Sequence, residues 1–324
     1  MKIKLCLVSA ALAAASLLPA TAVVAEEVTL RAVSAFADGT TFSKNFQRFI
    51  DEVNARGKGV VRIEYRGGGG KVMNPFQLGD AIRTGVVDIG NLPGAFYTKL
   101  VPEADAMKLS EFTITEERGN GAWEYMNQLH NEKMNVWHLA RQKDCVPFHL
   151  YLNKMIEKPE LDGMNIRVTP IYRAFFESMG ASMIRTKPGD VYTALERGTV
   201  DGYGWPTQGV LDLGWHEVTK YRVDPPFYRA SVEVLINLDS WNKLTDEQKA
   251  VLQAGASWME GLCAEDEKIN EEEKQRQAEA GIETIEFSGD AGSAYLQQAS
   301  DTGWAAFIAA NPETGPKLKE LLTR

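Results

Sequence analysis

The chain is poor in the residues that most often carry catalytic chemistry. It holds three cysteines and four histidines in 324 residues. So few cysteines exclude a disulfide-built scaffold. None of His130, His138, His149 and His216 stands in a metalloprotease spacing, since His216-Glu217 continues as Val-Thr-Lys without a second histidine. There is no G-x-S-x-G elbow. RGGGGK (66–71) lacks the outer glycine of a phosphate loop, where Tyr65 stands, and the hydroxyl residue after the lysine, where Val72 stands. It reads as a flexible connection. Positive charge is also short, with 35 Lys+Arg against 44 Asp+Glu and a formal net charge of −9. Nucleic-acid binding rests on clustered cations that displace counterions, so this balance argues against such a partner. A small anion responds to the local field, not to the total, and stays admissible.

Apolar runs of membrane length are missing too, and the apolar run among the first residues is too short for a comfortable span. Lys2 and Lys4 precede an Ala/Leu-rich stretch to about Leu18, then Pro19 and small residues ending Val23-Val24-Ala25. That pattern predicts a secretory signal peptide over 1–25, and with it a periplasmic protein that is not itself membrane-embedded. An oxidising compartment allows Cys145 and Cys263 to pair, although their spacing does not require it.

What is present is an α/β pattern. VTLRAVSA (28–35), VVRIEY (60–65) and VVDIG (86–90) read as strands separated by helices over 42–57 and 74–85. This order predicts parallel pairing, with a ligand outside the carboxyl ends of the strands. A second unit starts near Cys145, with strands at 146–153, 165–168 and 181–186. VEVLINL (232–238) alternates in the manner of a strand that returns to the first unit. Thr245-Asp246-Glu247-Gln248 fits a capping box opening a long helix to about residue 279, whose EDEKINEEEKQRQ stretch reads as a solvated face. The expected division is lobe I over 26–144 plus 233–272 and lobe II over 145–232 plus 273–324. The chain is long enough for two cores.

One residue in this pattern is out of place. In LDGMNIRVTP (161–170), Ile166 and Val168 point one way, and Asn165, Arg167 and Thr169 the other. Either the strand has a wet face, or Arg167 faces a cleft.

LDGMNIRV (161–168), MGAS (179–182) and DVYTALERGTVDG (190–202) together resemble the signature of solute-binding proteins of TRAP transporters, the tripartite ATP-independent periplasmic systems. The segments 67–90, 95–112 and 237–256 are similar to further stretches of that family. The resemblance implies a two-lobed periplasmic binding protein of the Venus-flytrap kind, with a long helix bridging the lobes. It implies a binding protein and not an enzyme, without cofactor or metal. Its partners would be a small organic acid and the small and large membrane subunits of a transporter. A periplasmic enzyme acting on an organic acid, or a sensory binding protein, stands as the alternative.

In the family, the arginine of the IRV strand clamps the ligand carboxylate, and that role falls here on Arg167. Trp205, in the loop after VDG, and Phe148 are expected ligand walls, with Tyr203 beside Trp205. Asn237 is expected at the cleft from the returning strand, and Phe36, Asp38 and Asn91 from strand ends of the first lobe. Arg185 and Tyr172 are supporting positions. Relatives that bind a metal with the ligand carry Glu before the Trp; Gly204 stands there, which puts metal-assisted binding in doubt. The second arginine of some relatives falls on Phe148 or His149. The aromatic candidates tilt the expected ligand toward a ring or flat body.

Overall fold

The computed structural model describes residues 27–169 and 172–324. The signal-peptide expectation lies outside them, as does Pro170. Four strands open the chain: β1 (Val28–Ser34), β2 (Val61–Gly68), β3 (Ile89–Pro93) and β4 (Val136–Gln142). The chain then forms β5 (Pro147–Leu152), β6 (Asn165–Val168), β7 (Ser182–Arg185), β8 (Gly202–Pro206) and β9 (Tyr221–Arg229). It returns for β10 (Val232–Asn237) and leaves again for β11 (Glu283–Glu286). Two sheets result. One has the order β2-β1-β3-β10-β4 and the other β11-β9-β5-β8-β6-β7. The chain passes between them at Lys143–Val146, at Ala230–Ser231, and along the helices after β10.

As the spacing predicts, β1 pairs in parallel with both β2 and β3. Between β1 and β2 the helix Thr41–Arg56 buries Phe42, Phe46, Phe49, Ile50 and Val53 on one face. The returning strand β10 runs antiparallel between β3 and β4. Its first residue, Val232, therefore lies beside Pro93 at the carboxyl end of β3, and its last, Asn237, beside Val136 at the far end.

Strand β9 is not evident from sequence, because Pro225 and Pro226 interrupt it. The register against β5 jumps there, from Phe148↔Tyr228 to Leu150↔Val223, so the prolines sit in an irregularity that needs no ladder donor.

The long helix opens with the expected box. Thr245 Oγ1 accepts from Gln248 N at 3.2 Å, and Gln248 Oε1 accepts from Thr245 N at 3.0 Å. It is two helices, Asp246–Glu260 and Cys263–Glu279, broken at Gly261-Leu262. The first packs on β4 and on helix Thr41–Arg56 of the first sheet. The second carries the expected solvated face, with Glu265, Glu267, Lys268, Glu271 and Glu272 exposed, and a buried face besides. Asp266, Asn270, Glu273 and Gln277 recur at helical spacing and are buried. Asp266 pairs with Lys143 at 2.5 Å, Asn270 Nδ2 donates to Cys145 O at 3.0 Å, and Gln277 Nε2 donates to Thr207 O at 2.7 Å. A polar stripe thus fastens this helix to the first crossover and to the second lobe. The C-terminal helix Gly315–Leu322 packs against Ile114–Asn120 and Ala122–Met134, on the side of the first sheet. Among the described residues no helix is long and apolar enough to cross a membrane.

Cys145 and Cys263 form a disulfide, with Cα atoms 5.4 Å apart and a sequence separation of 118. It joins the first crossover to the break in the long helix. Constraining a loop of this length removes on the order of 4–5 kcal/mol of denatured-state entropy. Mild reduction should therefore lower the melting temperature by at least about 5 °C, and should leave a Cys145→Ser, Cys263→Ser double variant unmoved. An unchanged wild-type melting curve, with the bond shown to be reduced, would count against this role.

Candidate functional site

The cleft between the sheets is built from strand ends. Parallel strands put their carboxyl ends on one side, so Ala35-Phe36 after β1, the segment after β3, Thr169 after β6 and Trp205-Pro206 on β8 converge. Phe148 is the second residue of β5, which runs antiparallel to β8, and so reaches the same side.

Arg167 lies on β6, between β7 and β8, and is wholly buried, as are Ile166 and Val168. The wet-face reading of this strand is therefore wrong: both faces are covered. The guanidinium donates from Nη2 and Nε to Thr186 O, at 2.8 and 3.2 Å, and from Nη1 to Tyr172 Oη at 3.2 Å. Tyr172 Oη in turn donates to Gly204 O at 3.1 Å. Its carbon centre stands 5.8 Å from the Trp205 ring centroid. No carboxylate of the described residues pairs with it. The contrast with Arg141, equally buried, is direct. Glu117 accepts two bonds from Arg141 at 2.8 and 3.0 Å, and Asp144 lies at 3.5 Å. Two further buried donors near Arg167, Thr186 Oγ1 and Trp205 Nε1, have no hydrogen-bond partner among the described residues. A buried guanidinium with no carboxylate partner suits an anion.

The other expected residues divide. Phe36, Phe148 and Trp205 line the cleft. Trp205 is propped by Trp215, with centroids 4.6 Å apart. Asn91 is buried beneath the cleft wall, donating to Ser34 Oγ at 3.0 Å and accepting from Gln142 Nε2 at 2.7 Å. Ser34 Oγ accepts from Phe36 N at 3.1 Å, so this network fixes the wall; Asn91 itself does not face the cleft. Asp38 stands at the outer rim, accepting from Tyr65 Oη at 2.7 Å. Tyr203 is buried inside the second lobe, stacked on Tyr151 and bonded to Thr219 Oγ1 at 2.9 Å. Asn237 is misplaced by the sequence reading. Because β10 runs antiparallel, this residue ends at the far side of the sheet, where its side chain caps helix Leu238–Lys243 and donates to Ile82 O at 2.9 Å. Arg185 lies over the Phe76 ring at 4.5 Å. Sequence reasoning missed Phe42, which looked like an ordinary core position of its helix, and Phe96. Among the described residues, no cluster of three or more His, Cys, Asp or Glu is placed to hold a metal.

Two contacts close the cleft from opposite lobes. Arg185 over Phe76 is one. The other is Asp212, whose Oδ2 accepts from Thr41 N at 2.6 Å. Helix Thr41–Arg56 has no side-chain cap of its own and no acidic residue in its first turn. A carboxylate from the other lobe therefore supplies the missing cap and meets the positive end of the helix dipole. The bond exists only when the lobes are together.

Beside the crossover at Ala230–Ser231, Glu233 is buried. It accepts from Ser231 Oγ and lies 2.7 Å from His138 Nε2. Burial pushes its carboxyl up to about 7 and the His138 ring down to about 3. Over most of the acid range both groups are neutral and the contact is an uncharged hydrogen bond.

Residues 32–311 match the family model for bacterial extracellular solute-binding protein, family 7. The two-lobed class defined by the sheets and cleft is thereby given its place: the chain belongs to that family. Solved structures show the same fold. A TRAP periplasmic solute-binding protein of Desulfovibrio salexigens with bound orotic acid is 20% identical, with a TM-score of 0.82, covering 91% of this chain and 97% of that one. One from Roseobacter denitrificans with bound L-galactonate is 20% identical, TM-score 0.78, covering 91% and 99%. One from Marinobacter aquaeolei, an apo open structure, is 21% identical, TM-score 0.79, covering 92% and 100%. Among curated relatives, a solute-binding protein of Roseobacter denitrificans is 31% identical over 118 residues, and a monocarboxylate 2-oxoacid-binding periplasmic protein of Nostoc sp. is 22% identical over 196. The matched stretches span 36% and 53% of those relatives' own lengths.

Asp212→Asn should weaken ligand binding about 3- to 10-fold, through the open–closed equilibrium alone. Small-angle scattering should show more open protein at subsaturating ligand; unchanged affinity and unchanged scattering would remove Asp212 from closure. For Glu233, the folded pKa lies above the unfolded value of about 4.3, so its stabilising contribution is full below that value and lost as pH rises through 7. The melting temperature of Glu233→Gln relative to wild type should rise between pH 5 and pH 8. Equal differences at both pH values would show that Glu233 does not titrate as described.

Proposed function

We propose that this protein captures a small organic carboxylate in the periplasm, through Arg167, and delivers it to a TRAP-type membrane transporter. The observation that carries the reading is the contrast between two buried arginines, Arg141 with its carboxylates and Arg167 with none. A buried cation without a counter-ion is costly to fold. An incoming carboxylate removes that cost and matches the guanidinium fork with two parallel bonds. Closure then excludes water and strengthens the pair. The ligands of the structural neighbours, among them orotic acid and L-galactonate, are organic acids, which supports the same chemistry here. The family's extracellular placement agrees with export through the expected leader. The ion gradient that drives uptake would act on the membrane subunits and not on this chain.

The test is a thermal-shift screen over organic acids, followed by calorimetry on the hits. Ligand at 100 times its dissociation constant stabilises by about 2.7 kcal/mol. Arg167→Ala should lose roughly 30-fold or more in affinity, from the 2–5 kcal/mol that a buried charge loses with its partner. Arg167→Lys should recover little of it, and both variants should melt near wild type. Undiminished binding of a hit by Arg167→Ala would refute the reading.

A further inference from the structure

The cleft has two chambers that share Phe36, Phe42 and Trp205. Their charges differ. The outer chamber is lined by Asp190, Asp212 and Lys187, so its acids outnumber its bases. The inner chamber lies at the hinge end, beside the crossover Ala230–Ser231, and none of its lining residues is acidic. Lys108 and Arg229 line it, as does Thr169, two residues beyond Arg167. Tyr172, which accepts from Arg167, forms part of the same wall.

Arg229 ends β9, in register with Pro147 of β5. Arg222, earlier on the same strand, pairs with Asp224 at 3.1 Å, whereas Arg229 pairs with no carboxylate and its side chain donates to no acceptor among the described residues. The residue is exposed, because it borders the inner chamber on one side and the groove behind the crossover on the other. Lys108, on the helix Pro102–Leu109 of the first lobe, is the opposite case. Its side chain is only 5% exposed, and Asp105 takes one of its three N–H bonds at 2.6 Å. The other two have no acceptor among the described residues. Asp105 cancels the charge of Lys108, so Arg229 leaves this end of the cleft with one unmatched positive charge. Arg167 is a second. The chamber is otherwise walled by rings such as Phe96 and Phe148, which keep water away and let a charge act more strongly than in bulk solvent.

Resting on the carboxylate reading of Arg167, we propose that the ligand is an organic acid with a second anionic group, and that Arg229 receives that group at the hinge end of the cleft. Lys108 and Thr169 supply further donors there. Arg167 and Arg229 stand on β6 and β9 of one sheet, so both ends of such a ligand are held by the second lobe before the first closes on it. Lys108 comes from the first lobe, so the second anionic group meets donors of both lobes only when they are together. A ligand with two charges therefore favours the closed state more than one with a single charge.

The test is calorimetry with succinate, glutarate, 2-oxoglutarate and phthalate, each against its monoamide, which keeps the size and one carboxylate. Wild type should bind at least one diacid about tenfold or more tighter than its monoamide, the effect of a hydrogen bond to a charged group. Arg229→Gln should cut that preference to about threefold or less. Arg229→Lys, which keeps the charge, should retain more of the preference than Arg229→Gln. Arg229 is exposed, so both variants should fold, and melting curves check that they do. Arg167→Ala should abolish binding of diacid and monoamide alike. Equal binding of diacid and monoamide that still depends on Arg167 overturns the ligand class and leaves the carboxylate reading intact. Absence of binding by every diacid also overturns the ligand class. A tenfold preference that persists in folded Arg229→Gln overturns the role of Arg229. Acid binding independent of Arg167 overturns the underlying reading.

Discussion

A wholly buried guanidinium with no carboxylate partner among the described residues is the constraint around which this protein is arranged. Desolvating a cation is expensive, and folded chains ordinarily return that cost with a counter-ion, as Arg141 shows with Glu117 and Asp144. Among the described residues, Arg167 has only a carbonyl and a phenol oxygen to lean on. Those dipoles orient the fork and leave its charge unmatched. Much of the second lobe serves this geometry: β6 sits between two strands, Tyr172 bridges Arg167 to Gly204, and Trp215 props Trp205.

The first lobe supplies the opposing wall and the means of closing on it. The Asn91–Gln142–Ser34 network holds Phe36 in place, and helix Thr41–Arg56 presents an uncapped N-terminus to Asp212 of the other lobe. Between the lobes, the disulfide and the polar stripe of helix Cys263–Glu279 tie the crossover to the long helix. The connections between the sheets are few, which is where a hinge would bend.

Much of this was legible in the chain. Alternation alone put Arg167 on a strand with apolar neighbours, and the 3.6-residue spacing of Phe42, Phe46, Phe49 and Ile50 gave the first helix. Other features were hidden for identifiable reasons. The buried stripe Asp266-Asn270-Glu273-Gln277 is polar, and a period search tuned to apolar residues passes over it. Asn237 was misassigned because strand direction decides which end of β10 meets the cleft, and direction is a tertiary fact. The cap from Asp212 spans 171 residues of sequence. The cleft aromatics also pack on one another, Phe36 on Phe42 and Phe148 on Tyr172, which composition cannot convey.

The central claim concerns where one charge goes, and a crystal structure of the protein with an acid ligand bound tests it most directly. The account predicts both carboxylate oxygens within hydrogen-bond distance of Arg167 Nη1 and Nη2, with the lobes closed and Asp212 on Thr41 N. A bound acid whose carboxylate meets other donors, with Arg167 still engaged only by Thr186 and Tyr172, would contradict it.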